Sequence, residues 1–160
     1  MSDRKKLLFV CTGNTCRSAL AEGIARREAI DRGLIEFDVS SAGTSAWNGA
    51  PASDGGLLVA LEHGVDLSEH RARQLTREIV MEQDVILVMG PHHLERAEAL
   101  GGEGKSYLLT DYAAHGTSDR AVSDPFGGDL EVYRATYEEL EREIKRVFDR
   151  MAAEQAPGAS

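Results

Sequence analysis

Hydrophobic and polar positions follow two different patterns along this chain. Short apolar runs bounded by Gly, Pro or polar residues are typical of buried strands, and they lie at residues 6–10, 37–41, 84–89 and 106–109. Apolar residues spaced three or four apart are typical of amphipathic helices, and they occupy residues 18–32, 53–63, 92–100 and 130–151. Because strands and helices alternate, the pattern predicts an α/β fold. We expect a three-layer sandwich in which helices cover both faces of a four-stranded parallel sheet.

The chain length predicts one domain. With 160 residues the chain can bury a substantial core, and no repeat or Pro/Gly-rich linker divides it. We therefore expect a single domain over residues 1–155 and a C-terminal tail over 156–160. No apolar run approaches the length of a membrane span, and the first residues lack the apolar core of a signal peptide, so no membrane association is expected.

Charge and cysteine content narrow the function classes. The net charge of −9 argues against general nucleic-acid binding, because phosphate backbones recruit basic surfaces. Cys11 and Cys16 do not make a disulfide framework, which favours a cytoplasmic location. The adjacent His92 and His93 do not share a helix face as paired metal ligands do, so we expect a solvated pair and no metal or other cofactor. The sequence leaves the oligomeric state open.

The strongest chemical pattern lies where the first predicted strand meets the first predicted helix. The segment reads Cys11-Thr12-Gly13-Asn14-Thr15-Cys16-Arg17-Ser18. A turn from a strand into a helix exposes the unpaired N–H groups of the helix N-terminus, which bind anions. Gly13 and Asn14 are residue types that tolerate the left-handed backbone of such a turn. In α/β proteins, binding sites lie at this carboxyl edge of the sheet.

Phosphoryl-transfer chemistry fits the residues of this segment. Cys11 is the candidate nucleophile, because the helix N-terminus and Arg17 favour a thiolate. The backbone N–H groups of residues 12–17 and the planar Arg17 side chain suit the phosphoryl oxygens. Ser18 can donate a hydrogen bond to the thiolate. A bare Cys-x5-Arg is more often a structural cysteine followed by a surface arginine, but the preceding strand, the Gly-Asn turn and Ser18 together favour phosphate binding.

The segment Phe9–Ser18 resembles the signature of the low-molecular-weight protein tyrosine phosphatases. Three further segments occur in the order found in that family, namely Ser41–Thr44, Ser68–Gln74 and Asp124–Gly128. The resemblance covers roughly residues 6–150. It implies an enzyme that acts on phosphorylated protein substrates.

The resemblance also assigns roles to residues outside the loop. Asp124, in an Asp-Pro pair, matches the general acid that protonates the leaving group and then activates the water that hydrolyses a phosphocysteine. On its own, Asp-Pro is more typical of a turn. Ser41 and His70 match positions that hydrogen-bond around Asn14 and hold the loop in its strained shape.

Thr15 and Phe126 on one side and Trp47 on the other bear on which phosphorylated residue is accepted, and we expect phosphoarginine, with phosphotyrosine as the alternative. We expect the loop residues 12–16 and Ser18, together with Trp47 and Phe126, to contact the substrate. Thr15 stands where tyrosine-directed members usually carry isoleucine, and Phe126 is a single aromatic where those members often have two. Both features resemble the bacterial protein-arginine phosphatases. Trp47 favours phosphotyrosine instead, since an indole stacks well on a phenol ring.

The family resemblance implies a reversible Cys11–Cys16 disulfide that protects the nucleophile from over-oxidation. It favours this role over the alternative that Cys16 is a small buried filler.

Two other functions use the same loop. Arsenate reduction on this fold passes a disulfide along further cysteines, and the sequence has none beyond Cys16. A non-enzymatic oxyanion-binding or redox-sensing module needs the two cysteines and Arg17 but gives no role to Asp124.

Overall fold

Four parallel strands form one sheet in the computed structural model, which describes residues 4–34, 36–116 and 118–155. Their order across the sheet is β2–β1–β3–β4. The strands span Lys5–Cys11 (β1), Phe37–Gly43 (β2), Val85–Val88 (β3) and Ser106–Leu108 (β4). All three pairings are parallel, which confirms the predicted sheet.

Six α-helices connect or cover these strands in the part of the chain that the structure describes. They span Arg17–Asp31 (α1), Asp54–Glu62 (α2), Arg77–Glu82 (α3), Pro91–Ala97 (α4), Leu109–Ala113 (α5) and Leu130–Gln155 (α6). The sequence pattern predicted α1, α2, α4 and α6. It missed α3 and α5, which have only six and five residues, because so short a segment shows little helical periodicity.

The third predicted helix, over residues 92–100, ends earlier than its hydrophobic pattern indicates. Helix α4 stops at Ala97, and the chain continues through a wide helical turn over Glu98–Gly102. Gly101 has a φ of 107° inside that turn, which an α-helix does not allow. The predicted tail at 156–160 lies outside the described residues. Within the described residues, no helix is long and apolar enough to cross a membrane.

Strand β1 lies in the middle of the sheet and is buried on both faces. Leu7 and Phe9 belong to an apolar cluster with α1 and α6, whereas Leu8 and Val10 belong to a second cluster on the opposite face. This alternation follows from the two-residue period of a strand. It confirms the predicted three-layer arrangement, and it leaves the carboxyl end of β1, at Cys11, at the centre of the sheet edge.

Candidate active site

The loop between β1 and α1 wraps around the N-terminus of α1. Cys16 is the N-cap residue of that helix and makes no side-chain capping bond there. No capping side chain from Cys16 therefore satisfies the first N–H groups of α1, and the N-terminus of a helix is a place where an anion is stabilised. Asn14 takes a left-handed conformation with a φ of 60°. Gly13 does not, so only one of the two expected residues provides the left-handed step.

Asn14 is fully buried and connects the loop to three other parts of the chain. Its Nδ2 donates to Ser18 Oγ at 2.8 Å and to Ser41 Oγ at 2.9 Å. Its Oδ1 accepts from the backbone N–H of Arg73 at 2.9 Å. Its carbonyl oxygen accepts from His70 Nε2 at 2.6 Å, so His70 carries its proton on Nε2. These bonds satisfy Asn14 and offset the cost of its left-handed backbone.

Cys11 has two hydrogen-bonding neighbours inside the loop. Its Sγ lies 2.9 Å from Ser18 Oγ and accepts from the backbone N–H of Asn14 at 3.3 Å. Because Asn14 Nδ2 already donates to Ser18 Oγ, the hydroxyl hydrogen of Ser18 is free to point at the sulfur. Cys11 is only 3% exposed, and it borders the cavity described below.

One residue behind the loop escaped the sequence analysis. Glu22 on α1 accepts a hydrogen bond from Ser41 Oγ at 2.5 Å and pairs with Arg26 at 2.8 Å. This bond directs the Ser41 hydroxyl hydrogen away from Asn14, so Ser41 can accept from Asn14 Nδ2. A glutamate on the predicted helix gives no sequence signal for this contact, because it depends on where β2 lies.

Arg17 and Asp124 meet at the cavity although they are far apart in sequence. Arg17 is 7% exposed, and its Nη1 donates to the Val122 carbonyl at 3.2 Å. Its Nη2 lies 3.5 Å from Asp124 Oδ2. The Asp124 side chain is half exposed, and its Oδ1 accepts from the Phe126 backbone N–H at 3.1 Å. The acidic loop is thus held next to the guanidinium.

A cavity of about 250 Å³ lies over the sulfur. Its lining residues are Cys11, Thr12, Gly13, Thr15, Cys16, Arg17, Asp124 and Phe126. These include the candidate nucleophile, arginine and acid, together with most of the expected substrate contacts. Trp47 is 85% exposed and does not belong to the lining, so a stacking contact with a substrate remains a prediction.

Cys16 lies in a small polar cluster on the side of the loop that faces α6. Its Sγ donates to Ser53 Oγ at 3.4 Å and is 3.5 Å from the hydroxyl of Tyr133. Burial, followed by the bond to Cys16, raises the pKa of Tyr133, so the phenol stays protonated. Both cysteines are free thiols. The reversible disulfide stays a prediction.

The expectation of a solvated histidine pair is wrong for His93. His92 is exposed, but His93 on α4 is fully buried, and its Nε2 lies 2.8 Å from Thr12 Oγ1. Helix α4 begins at Pro91, with Gly90 as its N-cap residue, and His93 lies on the side of this helix that contacts the loop. No group of three metal-ligating side chains exists among the described residues.

Gly43, at the end of β2, provides the first testable prediction. A Cβ on Gly43 would lie 2.4 Å from the Thr12 carbonyl oxygen and 3.0 Å from the Asn14 nitrogen. We expect Gly43→Ala to lower the free energy of unfolding by about 1–3 kcal/mol, because both obstacles are backbone atoms. It should also lower kcat, since the loop must shift. Thermal unfolding and steady-state kinetics measure the two effects.

Gly13→Ala is the control for the stability measurement. A Cβ on Gly13 meets only Thr15 Oγ1, at 3.7 Å, so its unfolding midpoint should stay near that of the wild type. An unchanged midpoint and kcat for Gly43→Ala would contradict the close approach of β2 to the loop.

Fold and site together define a class of protein. An α/β sheet with a Cys-x5-Arg anion loop at its carboxyl edge, and a carboxylate beside the arginine, is the arrangement of a cysteine-dependent phosphatase. The chain belongs to the low molecular weight phosphotyrosine protein phosphatase family, whose model matches residues 6–156. This confirms the family resemblance, the fold class and the enzyme class expected from the sequence.

The relatives of this chain include proteins named as arginine phosphatases and proteins named as tyrosine phosphatases. The chain is 35% identical over 150 residues to a protein-arginine-phosphatase of Geobacillus stearothermophilus, covering 94% of this chain and 98% of that protein. It is 34% identical over 151 residues to the low molecular weight protein-tyrosine-phosphatase Wzb of Escherichia coli K12, covering 93% and 97%. The solved structure of the YwlE arginine phosphatase from Geobacillus stearothermophilus superposes with a TM-score of 0.86 at 34% identity, covering 94% of this chain and 95% of that one.

Proposed function

We propose that the protein hydrolyses phosphoarginine side chains of proteins through a phosphocysteine intermediate. The observation that carries the choice of arginine is the wall that Thr15 contributes to the cavity over Cys11. The phosphoryl group is first transferred to the sulfur of Cys11, and water then hydrolyses the phosphocysteine.

In the first step, Cys11 Sγ attacks phosphorus and the bond between phosphorus and the leaving atom breaks. Cys11 reacts as a thiolate. The Ser18 hydroxyl donates a hydrogen bond to the thiolate sulfur and holds the sulfur in place for the attack. Arg17 and the N–H groups at the start of α1 bind the phosphoryl oxygens as charge develops on them. Asp124 gives its proton to the departing group, because a guanidine or phenol leaves more easily when neutral.

In the second step, Asp124 removes a proton from water while the water oxygen attacks phosphorus. The P–S bond breaks, and inorganic phosphate and the Cys11 thiolate are released. The half-exposed carboxylate, 3.5 Å from Arg17, lies close enough to the bound phosphoryl group to serve both steps. The same position explains why one residue can act first as an acid and then as a base.

Thr15 supports phosphoarginine as the substrate. It lines the cavity, and its Oγ1 has one hydrogen-bond contact among the described residues, a long one of 3.8 Å to Cys16 Sγ. This hydroxyl can therefore accept from a substrate N–H. A guanidinium carries several N–H donors, whereas a phenyl ring carries none. The protein-arginine-phosphatase relative at 35% identity also supports this choice.

The second prediction tests this wall of the cavity. We expect Thr15→Ile to lower the ratio of kcat/KM for phosphoarginine peptides to that for phosphotyrosine peptides by about tenfold or more, because the acceptor is lost and the wall becomes bulkier. Peptides of one sequence that differ only in the phosphorylated residue provide the measurement.

Thr15→Val separates the hydroxyl from the added bulk, because valine has the shape of threonine without its oxygen. If the hydroxyl selects the guanidinium, Thr15→Val shifts the ratio in the same direction as Thr15→Ile. An unchanged ratio in both variants rules out Thr15 as the determinant.

Phosphotyrosine is the second candidate substrate, and Trp47 is the observation that favours it. An exposed indole near the carboxyl end of β2 is suited to stack on an aromatic leaving group. The Wzb relative is a tyrosine phosphatase by name. Under this alternative, Trp47→Ala lowers kcat/KM for phosphotyrosine peptides and leaves phosphoarginine peptides unaffected.

The location, the partners and the absence of a cofactor are also part of what we propose. We place the protein in the cytoplasm, where a reactive cysteine such as Cys11 stays reduced. Residues 1–155 form the catalytic domain in this proposal, with phosphorylated proteins as partners and no cofactor. An arsenate reductase lacks support, because the sequence has no third cysteine.

A further inference from the structure

Thr12, next to the candidate nucleophile, is held from two sides. Its carbonyl oxygen accepts from the Ser45 backbone N–H at 2.9 Å, which fixes its main chain to the segment after β2. Its Oγ1 lies 2.8 Å from His93 Nε2, which fixes its side chain to α4. Thr12 also lines the cavity over Cys11. Both the main chain and the side chain of Thr12 are therefore fixed at the cavity.

The orientation of the hydrogen bond between Thr12 and His93 follows from the other ring nitrogen. His93 is fully buried, and its Nδ1 has no hydrogen-bond partner among the described residues. A buried N–H without a partner is rarer and more costly than a buried acceptor without one. The ring proton therefore belongs on Nε2, and Nε2–H donates to Thr12 Oγ1. The hydroxyl hydrogen of Thr12 is then free to point elsewhere.

His93 keeps this single-donor form throughout the working pH range. Burial first, and then the neighbouring His92 and Arg17, lowers the pKa of His93 to about 3, while Asp124 opposes the shift. The imidazole stays neutral above that pH. A neutral ring with its one proton on Nε2 always donates to Thr12 Oγ1, so Thr12 Oγ1 remains the acceptor of this bond when other groups of the site titrate.

We propose that His93 is a positioning residue that makes the Thr12 hydroxyl a hydrogen-bond donor to the phosphoryl group in the cavity. The inference rests on the proposed phosphatase mechanism and adds a side-chain donor to the backbone N–H groups and Arg17. A phosphoryl oxygen is a charged acceptor, so each donor that is already oriented contributes more than a solvent-exposed hydroxyl. The Thr12 hydroxyl contacts the phosphoryl group and not the leaving group, so its contribution is the same for phosphoarginine and phosphotyrosine.

Competitive inhibition by inorganic phosphate tests this contact without a leaving group. We expect Thr12→Val to raise the phosphate Ki by about tenfold, because one charge-assisted bond is lost. His93→Asn should raise it to a similar extent, since the asparagine amide reaches only the position of Nδ1. His93→Gln should restore most of the affinity, because its amide nitrogen can occupy the position of Nε2.

Combination and control variants separate positioning from a general structural effect. The double variant Thr12→Val with His93→Asn should match the single variants rather than multiply their effects, as expected for two residues that act through one contact. His92→Asn is the matched control and should leave the phosphate Ki unchanged, since His92 is exposed and burial is the main reason that His93 stays neutral. Unfolding midpoints confirm that each variant is folded.

The ¹⁵N chemical shifts of the His93 ring read the tautomer directly. A protonated Nε2 and an unprotonated Nδ1 are expected, unchanged between pH 5 and 8, because the pKa of His93 is lowered to about 3. A proton on Nδ1, or a phosphate Ki that Thr12→Val leaves unchanged, would overturn the inference. If phosphate does not inhibit even the wild type, the proposed phosphatase mechanism itself fails, so the two failures are distinguishable.

Discussion

Replacement of Cys11 by serine is expected to abolish turnover. The substitution changes only one atom of the side chain, but a serine hydroxyl at neutral pH is a far poorer nucleophile than a thiolate. We expect kcat on an aryl phosphate such as p-nitrophenyl phosphate to fall by at least about 10⁴-fold, the scale seen when a covalent nucleophile is removed. The phosphate-binding groups around the sulfur stay in place, so binding of inorganic phosphate should survive.

Cys16→Ser is the matched control for that experiment. It makes the same change of sulfur to oxygen within the same loop, but the Cys16 side chain faces Ser53 and Tyr133 rather than Ser18. We expect it to retain most of the turnover. Substantial activity in Cys11→Ser, or a loss of the same size in both variants, would rule out Cys11 as the nucleophile.

Replacement of Asp124 by asparagine has the second largest expected effect. Asparagine keeps the shape of the side chain and can still accept from the Phe126 N–H, but it cannot give or take the proton of the reaction. We expect kcat to fall by about 10²–10⁴-fold. The loss in the transfer step should be larger for a poor leaving group such as a phenol than for p-nitrophenol, which leaves without full protonation.

Asp129→Asn makes the same change a few residues further along the chain. Asp129 accepts from the Val132 backbone N–H at the start of α6, and asparagine caps a helix equally well. Its kcat should therefore match that of the wild type. If Asp124→Asn bound phosphate normally and kept wild-type turnover, Asp124 would not be the general acid of the reaction.

The local part of the site is predictable from sequence because it is built from consecutive residues. An apolar strand, a tight turn and a helix N-terminus bring Cys11 and Arg17 to the same cavity through residues that are close in sequence. The left-handed residue type at Asn14 belongs to the same local pattern. The sequence did not predict which of the two residues takes the left-handed conformation. Asn14 has the positive φ, and Gly13 does not.

Contacts from distant segments were predictable only where a family motif marked them. The resemblance indicated Ser41, His70 and Asp124, and the structure brings all three to the loop. It did not indicate Glu22, whose contact with Ser41 depends on the pairing of β1 with β2. Nor does hydrophobic periodicity reveal that contact, because a polar residue that is satisfied inside the fold has the same sequence pattern as one in solvent.

The sequence by itself determined the sheet, the order of its main helices and the chemistry of the loop after β1. Each of these is visible in the spacing and types of neighbouring residues, although the strand pairings themselves join residues far apart in the chain. Only the tertiary structure decided that Asp124 lies beside Arg17, and that His93 is buried against Thr12 instead of solvated. The physical reason is that the packing of α4 and the loop before α6 against the sheet edge sets these contacts, and no local pattern of residues encodes that packing.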